Sequence, residues 1–120
     1  MGYTNTVNWE PLRTLDSSTM VSPSTYYPLV IPVTLIGPLL FPSYKLKLVN
    51  NSNVLVTISI NGTSDIDVAP ANSFWLYDET QASISTANVP AIPKGTTVYC
   101  KSASAGVGTI YLVSQYLVRG

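Results

Sequence analysis

Cys100 carries the one thiol of this 120-residue chain, and the sequence holds nothing suited to activating it. A cysteine reacts as its thiolate, usually raised by a neighbouring base, and the chain contains no histidine. Cys100 sits in Thr97-Val98-Tyr99-Cys100-Lys101, which reads as a strand, so a small buried hydrophobe is expected. One thiol forms no bridge within the chain. Acid–base chemistry is left to six carboxylates. Asp65 and Asp67 flank Ile66 and share one face of a strand, a spacing open to a hard cation, but no EF-hand loop surrounds them. They read as a solvated strand face. Asp78-Glu79 is a second acidic pair, with no His or Cys nearby. Gly106-Val107-Gly108 lacks the third glycine and the helix of a dinucleotide site, and no P-loop, nucleophile elbow or zinc spacing occurs. A non-enzyme with no cofactor and no bound metal is expected. Trp75 and Tyr77 form the one candidate ligand platform, suited to stacking a sugar, to an inner sandwich face or to a subunit contact.

The elements that would carry these residues are short strands. Hydrophobic residues make up 46% of the chain and charged residues 10%, with six basic and six acidic side chains in balance. Nucleic-acid binding calls for a basic patch, and membrane-surface binding for a polybasic run; neither is present, so no nucleic-acid and no membrane partner is expected. A neutral, apolar surface favours association. The start, Met1-Gly2-Tyr3-Thr4-Asn5-Thr6, lacks the basic and apolar regions of a secretory signal, so no such signal is expected.

Six of the nine prolines fall within residues 1–42, and this half shows no sustained period. Residues 1–43 therefore read as an extended, Pro-rich apolar arm with one or two short strands, ahead of a β domain at 44–120. The run from Tyr26 to Pro42 carries no charge. Its four prolines and Gly37 argue against a membrane-spanning helix, yet its apolar surface needs cover. That cover comes from its own β domain or from a neighbouring subunit, and the run is the expected interface. The residues are Tyr26, Tyr27, Leu29, Val30 and Ile31, followed by Leu35, Ile36, Leu39, Leu40 and Phe41. On this reading, removing 1–43 abolishes assembly and leaves 44–120 folded.

The second half alternates. Tyr44, Leu46 and Leu48 share a face opposite Lys45 and Lys47, and Asn50 to Asn53 reads as a polar turn. Val54, Val56, Ile58 and Ile60 point inward, and Asn61-Gly62 predicts a type I′ hairpin into a strand carrying Ile66 and Val68. Ser73 to Tyr77 is a strand, and Asp78 to Val89 a loop. Thr96 to Lys101 is joined by an Ala105-Gly106-Val107-Gly108 hairpin to a closing strand, Thr109 to Val118, which is mixed on both faces and so central. Turns every 8–12 residues predict an all-β fold, an antiparallel β-sandwich or jelly-roll-like barrel.

The stretch from Val49 onward, with Ile58-Ser59-Ile60-Asn61-Gly62, Pro70-Ala71-Asn72-Ser73-Phe74 and Pro93-Lys94-Gly95-Thr96, resembles small virion proteins of tailed bacteriophages. The resemblance covers roughly 48–120 and brings no catalytic residues with it. It implies a β-sandwich with a structural role in a virion, as a capsid decoration or cement protein. Its partners would be copies of itself, as a homo-oligomer, and a capsid or other virion protein. A head–tail junction or collar ring is an alternative within that class. A carbohydrate- or receptor-binding module of a tail or fibre, using Trp75 and Tyr77, is the alternative outside it.

Overall fold

The computed structural model describes residues 5–78 and 91–119. The chain forms two antiparallel sheets packed face to face, in a body of 54 × 28 × 24 Å. The strands are β1 (Asn5–Trp9), β2 (Arg13–Asp16), β3 (Tyr27–Pro28), β4 (Lys45–Ser52), β5 (Val56–Ser59), β6 (Asp67–Ala69), β7 (Ser73–Asp78), β8 (Tyr99–Lys101) and β9 (Gly108–Arg119). One sheet has the order β1-β9-β4-β7, with β2 also on β9; the other is β3-β8-β5-β6. Among the described residues the only helical element is a 3-10 turn at Ser17–Thr19. The expected all-β antiparallel sandwich is the observed fold.

Alternation builds the core. Leu46 and Leu48 of β4, with Ile110 and Leu112 of β9, face Val56 and Ile58 of β5 and Cys100 of β8. Each is a β-branched, leucine or small apolar residue on the inward side of a two-residue period. The inward row of β4 then turns polar. Strand β4 runs on through Ser52, so Asn50 and Ser52 are buried strand residues rather than the expected turn. Asn50 donates through Nδ2 to the carbonyls of Val54, Ala69 and Pro70 at 2.8, 2.9 and 3.1 Å, and its Oδ1 accepts from Ser52 Oγ. One buried amide thus satisfies carbonyls at two chain corners that would otherwise be orphaned.

Strand β9 is central, as its mixed faces predict. It pairs with β4 on one side and with β1 and β2 on the other. From Trp9 to Arg13 is four residue steps, against three from Gln115 to Leu112, so Glu10–Leu12 form a bulge with one extra residue. Pro11 sits where a ladder donor is not needed. The bulge resets the alternation so that Glu10 and Arg13 both point inward, and both are buried. Arg13 Nη2 lies 3.0 Å from Glu10 Oε1. Arg13 also donates to the carbonyls of Gly37 and Pro38 at 3.0 and 2.9 Å. The Glu10 carboxylate accepts the backbone N–H groups of Leu40 and Phe41, each at 3.0 Å.

Three expectations are corrected. Residues 1–43 are not an arm apart from the domain: they supply β1, β2 and β3, and Met20, Leu29 and Leu39 lie in the shared core. The segment has no period of its own because its strands are short and the rest of its backbone bonds irregularly, to distant backbone groups such as Thr96 and Val98 and to the Glu10 and Arg13 side chains. Second, Asn61-Gly62 is not a two-residue hairpin. Only Gly62 of the pair has positive φ, and β5 and β6 are joined by a wider loop in which Asn61 Oδ1 accepts from Thr63 and Ser64 N–H. Third, Ala105–Gly108 does not join a hairpin, because β8 and β9 lie in different sheets. Gly108 (φ +123°) makes this crossing: a Cβ there would stand 2.1 Å from the Asn51 carbonyl oxygen.

Removing one partner of a buried ion pair strands a charge, at a cost of about 3–5 kcal/mol. Arg13→Met is therefore expected to lower unfolding free energy by about that amount in urea titration. Adding Glu10→Gln should recover part of the loss, giving a non-additive cycle.

Candidate interaction surface

The outer face of the five-stranded sheet follows from the strand registers. Residues opposite one another share a face, so Thr14, Tyr111, Val49 and Phe74 form one cross-strand row, which Val30 extends through its bridge to Thr14. The next row is Val113, Lys47 and Leu76, and the one after is Trp9, Gln115, Lys45 and Asp78. Phe74 and Trp9 are 58% and 59% exposed, and Val7, Leu12 and Leu76 are exposed as well. Lys47 is the one charge in the two middle rows, and its Nζ lies 5.6 Å from the centroid of the Phe74 ring. The outer face of the other sheet is mixed: Thr57, Lys101 and Tyr99 share it with Leu55 and with Val68, which lies opposite Thr57, and both hydrophobic side chains are exposed.

A second apolar surface is the ridge at 31–41. The Ile31 N–H donates to the Ile36 carbonyl at 3.0 Å and the Leu35 N–H to the Ile31 carbonyl at 2.7 Å, closing a tight loop. Val33, at its tip, is 93% exposed, and Leu35 is 70% exposed with φ +59°. A leucine in the left-handed region is strained, by about 1–3 kcal/mol. Phe41 stacks on Tyr116, centroids 4.0 Å apart at 10°, and remains exposed on its other side.

The ten expected interface residues divide. Leu29 and Leu39 are core side chains, and Tyr26, Tyr27, Val30, Ile31 and Ile36 are half-buried on their own chain. Leu35, Leu40 and Phe41 are exposed. Trp75 and Tyr77 do not form an outer platform: they oppose Leu48 and Leu46, face inward and pack on the core. Trp75 Nε1 donates to Asp67 Oδ2 at 2.9 Å. The outward aromatic of β7 is Phe74, one residue away, because register decides which alternate set faces solvent. Sequence reasoning passed over Val7, Trp9 and Leu12. Their signal was the alternation of Val7 and Trp9 with Thr6 and Asn8, hidden by the break at Pro11.

The polar groups around Asp65 are mutually occupied. Asp65 accepts from the Tyr26 hydroxyl and pairs with Lys101 Nζ at 3.1 Å, while that ammonium lies 4.6 Å from the Tyr26 ring centroid. The Tyr26 hydrogen bond, then Lys101, hold the Asp65 carboxyl below the usual carboxylate range. Asp65 and Asp67 thus hold a tyrosine, a lysine and a tryptophan. Beside Lys101 is an open groove of about 420 Å³, lined in part by Leu55, Thr57, Ser102 and Ser104. Cys100 is fully buried, and burial pushes its thiol up to about 12. Glu79 lies outside the described residues, as does most of the loop expected from Asp78 to Val89. Among the described residues, no helix is long and apolar enough to cross a membrane.

No protein-family model matches the chain, and no curated protein is similar enough to count as a relative.

With its thiol protonated and enclosed, Cys100 is expected to react with a soluble thiol reagent only on unfolding. Labelling that follows global unfolding in urea checks this; fast labelling of the native chain contradicts it. A depressed Asp65 stabilises the folded state above the ordinary carboxylate range, and that contribution is lost as pH falls through its folded value. Asp65→Asn should therefore melt below the parent near neutrality and converge with it in acid, in a Tm series from about pH 6 to pH 2.

Proposed function

We propose that this chain is a non-enzymatic structural protein of a virion, a decoration or cement protein that docks on a capsid shell through the 31–41 ridge. The observation that carries the reading is the ridge itself, where Leu40 and Phe41 stand exposed on backbone fixed by Glu10, and Val33 and Leu35 on a tight loop closed by Ile31 just ahead of the carbonyls that Arg13 holds. The resemblance of residues 48–120 to phage virion proteins supplies the class of partner.

The energetics support such a contact. Fully burying a Val, Leu or Phe side chain is worth about 1.5–3 kcal/mol each. Docking usually gives much of this back in ordering loops and side chains. A ridge already held by two charged side chains has less order left to lose. On a symmetric shell, many weak copies add by avidity. Strain at Leu35 fits the same picture, because a residue kept in an unfavourable conformation with its side chain in solvent contributes little to its own fold.

Gold-labelled antibody against the chain, applied to purified particles of the phage that encodes it, tests the reading. Labelling over the head is the expected result. Labelling at one vertex assigns the chain to the head–tail junction, labelling along the tail to a fibre or receptor-binding part, and unlabelled particles sink the proposal. Leu35→Gly separates docking from folding. Glycine accepts positive φ without strain, so the variant should be as stable as the parent or up to about 1 kcal/mol more stable. Its retention on shells in a co-sedimentation assay should nevertheless fall.

A further inference from the structure

The outer face of the five-stranded sheet is a different surface from the ridge and has its own occupant. We propose that this face packs against the same face of a second copy of the chain, forming a twofold sheet-on-sheet dimer. The inference rests on the reading of the chain as an assembly protein, but it concerns contacts between copies rather than contacts with a shell.

Three observations point to a second copy. First, the apolar rows of this face adjoin. β9, β4 and β7 turn Tyr111, Val113, Val49, Phe74 and Leu76 outward in two neighbouring cross-strand rows with Lys47 the one charge among them, whereas the outer face of the other sheet interleaves Leu55 and Val68 with Thr57, Lys101 and Tyr99. A contiguous apolar patch is the pattern of a face destined for cover. Second, the size is right. The sixteen outward strand positions of the face, each covering about 4.8 by 6.7 Å, span roughly 500 Å². Pairing two such faces buries about 1,000 Å², the lower bound for a specific interface.

Third, the face is self-complementary. A twofold axis between β4 and β9 and parallel to them lays β4 of one copy over β9 of the other. Val49 then meets Tyr111, Lys47 meets Val113, and Lys45 meets Gln115, following the registers within each copy. No lysine opposes a lysine. Lys47 keeps its ammonium against its own Phe74 ring, so its aliphatic stem is what the partner meets. The apolar middle rows are bordered by Asp16, Asn51 and Asp78, giving the polar rim around an apolar centre found in specific interfaces.

The test is the native mass of the full chain by light scattering across a concentration series. The expected result is a concentration-dependent rise to twice 12.9 kDa. Tyr111→Glu and Phe74→Glu, both outward substitutions, should hold the chain at the single mass while far-UV circular dichroism and Tm confirm folding. Mixing Asp78→Cys with Trp9→Cys chains and adding a short bismaleimide should give a covalent dimer several-fold above either variant alone, because the axis lays β7 of one copy over β1 of the other while like sites stay about 14 Å apart sideways, and native Cys100 is buried. A single-chain mass at every concentration overturns the proposal, as does a dimer that survives both glutamate variants. Cross-linking of Asp78→Cys alone at the mixed level overturns the strand-parallel arrangement. A chain that decorates shells yet stays monomeric defeats this inference and leaves the proposed function standing. A dimer absent from particles does the reverse.

Discussion

The pairing of Glu10 with Arg13 inside the β1–β2 bulge is the interaction on which the rest of the molecule depends. A proline-rich segment cannot satisfy its own backbone: Pro38 and Pro42 lack donors, and of the residues between them Leu39 bonds to the backbone of Gly95 and Thr96 while Leu40 and Phe41 depend on a side chain. Arg13 takes the carbonyls of Gly37 and Pro38, and Glu10 takes the N–H groups of Leu40 and Phe41. Neither charge would be tolerated in the interior alone. Together, with four backbone groups between them, they place Leu39 in the core and leave Leu40 and Phe41 outside. The bulge that makes this possible needs one extra residue and a position where Pro11 has no donor to lose.

The consequence is a body whose surface is apolar in two separate places. A sandwich of this length has one interior to fill, between its sheets, and the core residues of β4, β5, β8 and β9 fill it. The remaining hydrophobic residues have to stand elsewhere. Many collect on the outer face of the five-stranded sheet and on the 31–41 ridge, while on the outer face of the other sheet Leu55 and Val68 stand among polar residues. The low charge content of the chain thus shows on its surface as exposed apolar area. Among the polar groups, Asp65, Lys101 and Tyr26 bind one another and Asn50 ties carbonyls together, while Cys100 is sealed in the core.

Local pattern by itself determined the fold class and much of the core. Tyr44, Leu46, Leu48, Val56 and Ile58 alternate with more polar residues, and a period of two has one physical solution, a strand with one face inward. The central place of β9 was also legible, because a strand apolar on both faces has neighbours on both edges and cover on both sides. The burial of Cys100 followed from its setting in a short apolar strand. What only the tertiary structure decided were the relations that span the chain. Whether Trp75 or Phe74 faces solvent depends on the register of β7 against β4, and a shift of one residue exchanges them. Whether Gly106 to Gly108 joins a hairpin or crosses between sheets depends on where β9 finds its partners, Asn51 being the backbone that Gly108 must approach. Whether residues 1–43 are an arm or a wall depends on a carboxylate and a guanidinium three positions apart meeting backbone groups more than twenty residues away. Periodicity reports only what a residue's near neighbours impose. The Glu10–Arg13 clamp is a contact of long sequence separation, and such contacts leave no local trace.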